Sequence, residues 1–189
     1  MDTVVMNATG DARVESAPRP PVTGHLVVMG VAGSGKTTIA GLLAARLGLD
    51  VAEADEFHPQ ANIDKMSAGT PLTDADRAPW LAAIRDWLTE ESDVGRSAVV
   101  TCSALKRSYR DVLRGAHGRV RFVHLDGSPE VLAERMAHRS GHFMPPALLP
   151  SQLATLEPLD GDEDGITIDV AVAPEAIVDS VLAWLTEPA

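Results

Sequence analysis

Eight consecutive residues, Gly30-Val31-Ala32-Gly33-Ser34-Gly35-Lys36-Thr37, fit the pattern G-x-x-x-x-G-K-[ST] position for position and constrain this chain more than any other feature. The apolar run Leu26–Met29 precedes them and an amphipathic stretch from Lys36 to Leu47 follows, which sets the loop between a strand and a helix. Its glycines let the backbone turn tightly, so that successive amide hydrogens point inward at phosphate oxygens. Lys36 then reaches the β- and γ-phosphates of a nucleotide. The Thr37 hydroxyl is offered to Mg²⁺, and the positive end of the helix faces the triphosphate. The expected nucleotide-binding set runs from Gly30 to Thr37 and takes in Thr38 as the helix begins.

At 189 residues and 45% hydrophobic, the chain has apolar material for one core and too little length for two full catalytic domains. From His25 onward short β-rich runs alternate with longer amphipathic stretches, the pattern of βαβ units around a parallel sheet. The expected strands are Leu26–Met29, Val51–Ala54, Ala98–Cys102, Val120–Leu125 and Ile166–Val170. Helices are expected at Lys36–Leu47, Asp74–Glu90, Lys106–Gly115, Pro129–His138 and Pro174–Leu185. Pro145, Pro146 and Pro150 interrupt the stretch after His142, which reads as a loop and then a helix to about Leu156. Residues 1–24 hold Pro18, Pro20 and Pro21 with scattered charges and no apolar period, and are expected to be a flexible tail beside a single domain at 25–189. They lack the basic start and continuous apolar stretch of a signal peptide.

A formal charge of −11 repels phosphate backbones, so neither nucleic acid nor an anionic membrane is the expected partner, and any anion must find a local basic pocket. Cys102 is the only cysteine, which rules out an internal disulfide and gives no sign of an oxidising compartment. The longest apolar runs fall far short of the roughly 20 residues that span a bilayer. A cytoplasmic protein is expected.

A base-reading N-K-x-D segment is missing, which disfavours a GTPase switch. Motor and transport ATPases place an aspartate at the end of an apolar strand; the Ala98 run ends in Thr-Cys-Ser, while the Val120 run does end in Asp126, so pattern alone leaves that reading open. The acids after the second strand tell against it. Glu53 and Asp55 stand two apart on one face of an extended segment, and both can point into the cleft above the loop. One carboxylate there can accept a proton from an alcohol while its neighbour holds water on Mg²⁺. Asp55 is read in the first role and Glu53 in the second; the alternative is a pair of acids that solvates a loop.

The stretch Asp55-Glu56-Phe57-His58-Pro59-Gln60-Ala61-Asn62-Ile63-Asp64-Lys65-Met66, followed by Gly69-Thr70-Pro71-Leu72-Thr73-Asp74-Ala75-Asp76-Arg77-Ala78-Pro79-Trp80-Leu81, closely resembles the gluconate kinase (gluconokinase) family. The resemblance continues through Cys102-Ser103-Ala104-Leu105-Lys106-Arg107-Ser108-Tyr109-Arg110 and Gly141-His142-Phe143-Met144, and covers the chain from about His25 to its end. It implies ATP-dependent phosphorylation of gluconate to 6-phosphogluconate. It also implies an α/β three-layer P-loop kinase fold, similar to shikimate and nucleoside monophosphate kinases, with a five-stranded parallel sheet in the order 2-3-1-4-5 and a small lid, here around 138–150. A homodimer is implied as well. The family carries Asp where this chain has Glu53, a longer side chain still able to serve Mg²⁺ through water.

Gluconate bears a carboxylate and many hydroxyls, so its pocket calls for a few cations and several neutral polar groups. His58, Asn62, Lys65 and Arg77 supply them between the second and third strands, joined by Ser103 and Lys106 after the third and by His142. Alternatives stand beside several of these: a satisfied surface histidine for His58, an ion pair with Asp74 or Asp76 for Arg77, a solvated helix face for Arg110. Lys106 and Arg110 lie one helical turn apart and are read toward the acceptor. Arg135 and Arg139, again one turn apart, are read toward the transferring phosphoryl group, with ordinary surface placement as the alternative for Arg139. Trp80, Leu81, Ile84, Trp87 and Leu88 recur at helical spacing and read as core. Cys102 reads as an inert buried thiol. Two rival functions remain: a kinase of the same fold acting on another hydroxy acid such as shikimate, and a regulatory module that binds ATP without transfer.

Overall fold

The computed structural model describes residues 3–6, 12–15, 23–137 and 149–187. Its centre is a five-stranded parallel sheet built from β1 (His25–Met29), β2 (Asp50–Glu53), β3 (Ala98–Thr101), β4 (Val120–Asp126) and β5 (Gly165–Asp169). The spatial order is β2-β3-β1-β4-β5, the 2-3-1-4-5 order that the sequence resemblance implied. Val27 of β1 stands beside Val100 on one side and Phe122 on the other, so the strand that feeds the glycine-rich loop is central.

Side-chain alternation along β1 divides the interior into two cores. Leu26 and Val28 point toward α1 (Lys36–Leu47), α5 (Pro129–Ala137) and α7 (Pro174–Leu185), and pack with Ile39, Leu43, Leu132 and Ile177. Val27 and Met29 point the other way, toward α3 (Asp74–Asp93) and α4 (Arg107–Arg114), and pack with Trp80, Leu81, Ile84, Leu88 and Leu113. Every residue of β1 and β3 is buried, because helices cover both faces of the sheet. This accounts for continuous apolar runs in place of polar alternation. The tryptophan and leucine stripe of α3 is core, as its spacing predicts.

Several boundaries differ from the sequence reading. The second strand ends one residue early, and Ala54–Phe57 forms a single 3₁₀ turn that carries Asp55. Gln60–Ser67 is a helix, α2, which the sequence reading did not place; only Asn62 on it is buried, so it lacks the apolar stripe by which surface helices are recognised. Lys106 precedes α4 as its cap instead of opening it. The last short helix, α6 (Leu149–Thr155), has Pro150 in its first turn, where a missing amide hydrogen costs nothing. Within the segment expected to be a tail, Thr3–Met6 pairs antiparallel with Ala12–Glu15 in a sheet of its own. Of the expected lid, residues 138–148 lie outside the described residues. Among the described residues no helix is long and apolar enough to cross a membrane.

Candidate nucleotide and acceptor site

The loop from Gly30 to Gly35 lies at the carboxyl end of β1, against β4 and α5. Two glycines are required there by geometry. Gly30 has φ 140°, and a Cβ on it would come within 2.6 Å of the Leu125 carbonyl oxygen and 2.9 Å of Ser34 Oγ. At Gly33, φ 82°, a Cβ would stand 2.9 Å from both the Leu132 carbonyl oxygen and Met136 Cγ. The loop is thus pressed onto its supports, and no side chain larger than hydrogen fits beneath it. Gly35 begins α1 with no side-chain cap, which turns the amide hydrogens of the first helical turn toward the loop. Lys36 Nζ donates to the carbonyls of Gly30 at 3.1 Å and Val31 at 3.0 Å. Ser34 Oγ is buried and has no hydrogen-bond partner among the described residues.

Beside the loop runs a cleft lined by Thr38, Ile39, Val172, Pro174, Ile177 and Arg135. Arg135 donates to the Val170 carbonyl, and its Nη1 lies 3.9 Å from where a Gly35 Cβ would be, so its guanidinium leans over the loop. A phosphate chain suits this arrangement: the glycine cradle, the uncapped helix end, the orphaned Ser34 hydroxyl and two cations all favour an anion, and the apolar cleft suits a flat ring. For a divalent metal the donors are fewer. Thr37 is exposed at the helix start, Glu53 accepts the hydroxyl hydrogen of Thr101, and no cluster of three or more His, Cys, Asp or Glu that could hold a metal occurs among the described residues. A Mg²⁺ ion here would therefore draw most of its ligands from phosphate oxygens and water, which is its usual habit beside nucleotides.

On the other side of β1, the carboxyl end of β3 gathers the acceptor-side residues. The buried thiol of Cys102 is pushed up to about 12, chiefly by burial, with the Lys36 ammonium pulling it down and the Asp55 carboxylate pushing it further up. Cys102 is accordingly a neutral thiol, close enough to both Lys36 and Asp55 to feel their charges. His58 stacks on Trp80, with ring centroids 4.4 Å apart and planes 13° from parallel, and Trp80 in turn donates to the Ala54 carbonyl at 2.6 Å. The 3₁₀ turn that carries Asp55 is thereby braced. Burial holds His58 below its ordinary pKa; Asp55 raises it and Arg77 lowers it again. The imidazole is neutral near pH 7, a hydrogen-bonding group in place of a charge.

Asn62 is buried and its Nδ2 donates to the Asp76 carbonyl at 2.8 Å, stitching α2 to α3, with His58 Nδ1 at 3.3 Å. Lys65 Nζ meets Asp76 at 2.6 Å. Arg77 donates to the Leu72 carbonyl, lies 4.0 Å from Asp74 and stands over the Tyr109 ring. Lys106 donates to Asp74 at 2.7 Å, and Tyr109 donates its hydroxyl hydrogen to the same carboxylate. Asp74 thus holds Lys106, Tyr109 and Arg77 together. The sequence reading named Asp74 only as an alternative ion-pair partner for Arg77, a pair that the structure contains, and did not single out Tyr109, since a lone tyrosine is explained by packing. Ser103 offers its carbonyl to the Gly30 amide at 3.4 Å, which links the acceptor loop to the phosphate loop.

Arg110 is corrected. It does not face the acceptor. Its side chain is fully buried, paired with the equally buried Glu163 at 2.6 Å, and it donates further to the carbonyls of Ala104, Leu105, Glu157 and Pro158. Ala104, which it braces, has φ 43°, an uncommon conformation for a residue with a Cβ. Arg107, beside it, is tied to Asp160 and Asp162. Arg139 and His142 lie outside the described residues.

A family model described as an AAA domain matches residues 26–159. The chain is 55% identical over 157 residues to the gluconokinase of Gluconobacter oxydans (strain 621H), a match covering 83% of this chain and 88% of that one. It is 46% identical over 145 residues to the thermosensitive gluconokinase of Escherichia coli (strain K12), covering 76% and 78%. Among solved structures, a gluconokinase from Sinorhizobium meliloti 1021 superposes with a TM-score of 0.78 at 52% identity, covering 87% of this chain and 92% of that one. A shikimate kinase from Aquifex aeolicus vf5, at 18% identity and a TM-score of 0.54 over 85% and 95%, shares the fold.

Proposed function

The chain belongs to the gluconokinase family, and on that premise we propose that it transfers the γ-phosphoryl group of ATP to O6 of D-gluconate, giving 6-phospho-D-gluconate and ADP. The observation that supports this reading is that the phosphate loop after β1 is joined to the loop after β3 by the Gly30 amide and the Ser103 carbonyl at 3.4 Å, while the turn that carries Asp55 ends the neighbouring strand β2. A hydroxyl held between Asp55 and the phosphate loop has a proton acceptor on one flank and the phosphoryl group on the other.

In the proposed reaction Asp55 takes the proton of O6 as the new O6–P bond forms and the bond from phosphorus to the β-phosphate oxygen breaks. Lys36 leaves the carbonyls of Gly30 and Val31 for phosphate oxygens, and Arg135 balances charge from above the loop. With Arg139, the residues Gly30 to Thr38 complete the nucleotide side. Thr37, and Glu53 through water, would hold Mg²⁺, which would supply charge neutralisation on the phosphates. On the acceptor side His58, Asn62, Lys65, Arg77, Ser103, Lys106 and His142 are assigned to gluconate, Arg77 and Lys106 as the cations for its carboxylate. Both are held today by Asp74, so gluconate enters a cluster whose charges are already in position. Asn62, being buried, serves the acceptor side indirectly, by joining α2 to α3. A single domain at 25–189 and a cytoplasmic location, which rest on length, composition and the lone cysteine, and a lid around 138–150 and a homodimer, which rest on the resemblance, belong to the same proposal.

Asp55→Asn is expected to lower kcat by roughly 10²–10⁴ fold while ATP binding, read by calorimetry, stays as it is. Near-normal turnover in that variant sinks the assignment. Offering gluconate, other aldonates and shikimate side by side with ATP and Mg²⁺, and following ADP release, tests the substrate.

A further inference from the structure

The amide of Ala32, third residue of the phosphate loop, donates at 2.7 Å to the side-chain oxygen of Gln152, 120 positions further along the chain. Gln152 lies on α6, whose Leu149 is buried in the core beneath the nucleotide side. The same segment continues to the acceptor side. The Leu156 amide bonds to the Gln152 carbonyl at 2.9 Å, and the Glu157 amide donates to the Leu105 carbonyl at 2.7 Å. The Glu157 carboxylate accepts from the Arg107 amide at 2.6 Å, and Arg110 donates to the Glu157 carbonyl at 3.0 Å. Residues 152–157 therefore form a strut with one end on the phosphate loop and the other on the loop that carries Ser103 and Lys106.

The chemistry of the contact is specific to an amide. Gln152 accepts the Ala32 hydrogen without bringing a negative charge up to a loop that must hold a polyanion. A glutamate of the same shape would accept that hydrogen equally well and would repel the phosphates. We propose that Gln152 is a positioning residue of the nucleotide site: its neutral oxygen fixes the Ala32 amide and, through residues 152–157, holds the phosphate loop in register with the acceptor loop. Transfer depends on that spacing, because a displacement on the order of 1 Å between reacting groups costs about a hundredfold in rate.

The inference rests on the nucleotide reading of the loop, and because ATP binding is measured without gluconate, the result does not depend on which acceptor the enzyme uses. Gln152→Glu keeps the acceptor and adds a charge. It is expected to leave the thermal midpoint of the ligand-free protein unchanged within about 2 °C and to weaken ATP binding, by calorimetry, about tenfold or more. Gln152→Met keeps the volume and removes the acceptor; it is expected to lower kcat for gluconate phosphorylation more than it raises the KM for gluconate, and to weaken ATP binding several-fold. If both variants bind ATP within about twofold of the unaltered chain, Gln152 is a packing residue and the proposal fails.

Discussion

Arg110 carries its charge wholly inside the protein, and the cost of breaking its pair falls on the partner left behind. Arg110→Met strands the Glu163 carboxylate in the interior, and urea denaturation is expected to show a loss of about 3–5 kcal/mol. Glu163→Leu placed on top of it is expected to recover part of this, and not all, because the carbonyls of Ala104, Leu105, Glu157 and Pro158 lose their donor in either case. Sequence reading could not have found this role, since Glu163 stands 53 residues away and i,i+4 spacing says only that Lys106 and Arg110 share a helix face. Near a helix start that face bends: Lys106 is the cap and reaches out to Asp74, whereas Arg110 turns inward. The phosphate loop was legible for the opposite reason. Its cradle is contiguous backbone that eight neighbouring residues report, although the Gln152 brace on Ala32 is not among them.

Among the elements, α3 has the most explicit start signal. Thr73 accepts from the Asp76 amide at 3.2 Å while Asp76 accepts from the Thr73 amide at 2.9 Å, a reciprocal capping box. The first turn so fixed presents Arg77 together with Asp74 and Asp76, the acids that hold Lys106 and Lys65. Thr73→Ala is expected to cost about 1 kcal/mol of stability and to raise the KM for gluconate while ATP affinity is unchanged; an equal effect on both substrates would separate this helix from the acceptor. Strands β1 and β3 were legible because burial on both faces leaves a nearly continuous apolar run. Helix α2 was not, because its one buried residue is a polar Asn62 that bonds to a neighbouring backbone, a contact without periodicity.

At the scale of the molecule, acidity acts among the described residues through three histidines. His25, His58 and His124 are each held below their ordinary value of 6.5, mainly by burial. The unfolded chain takes up these protons first on acidification, so the stability they represent is intact above about pH 6.5 and drains away as pH falls through the folded values. Carboxylates held low by partners, such as Glu91 and Glu163, add a loss of the same sign only near and below about pH 4. The thermal midpoint is therefore expected to fall between pH 7.5 and 5.5. His124 sits buried in β4 with Nε2 unpartnered among the described residues. His124→Leu should flatten that slope; an unchanged slope would assign the acid sensitivity elsewhere.

The two cores lie on opposite faces of the sheet, and off the strands Leu156 packs against both. Helices α1, α5 and α7 rest on one and support the loop around Ser34; α3, α4 and the turn at Asp55 rest on the other. Change accumulating in the second layer, where it spares the strut at 152–157, can retune which alcohol is accepted without disturbing how the phosphate is gripped, so a lineage built on this plan is free to inherit its energy source intact and exchange its cargo.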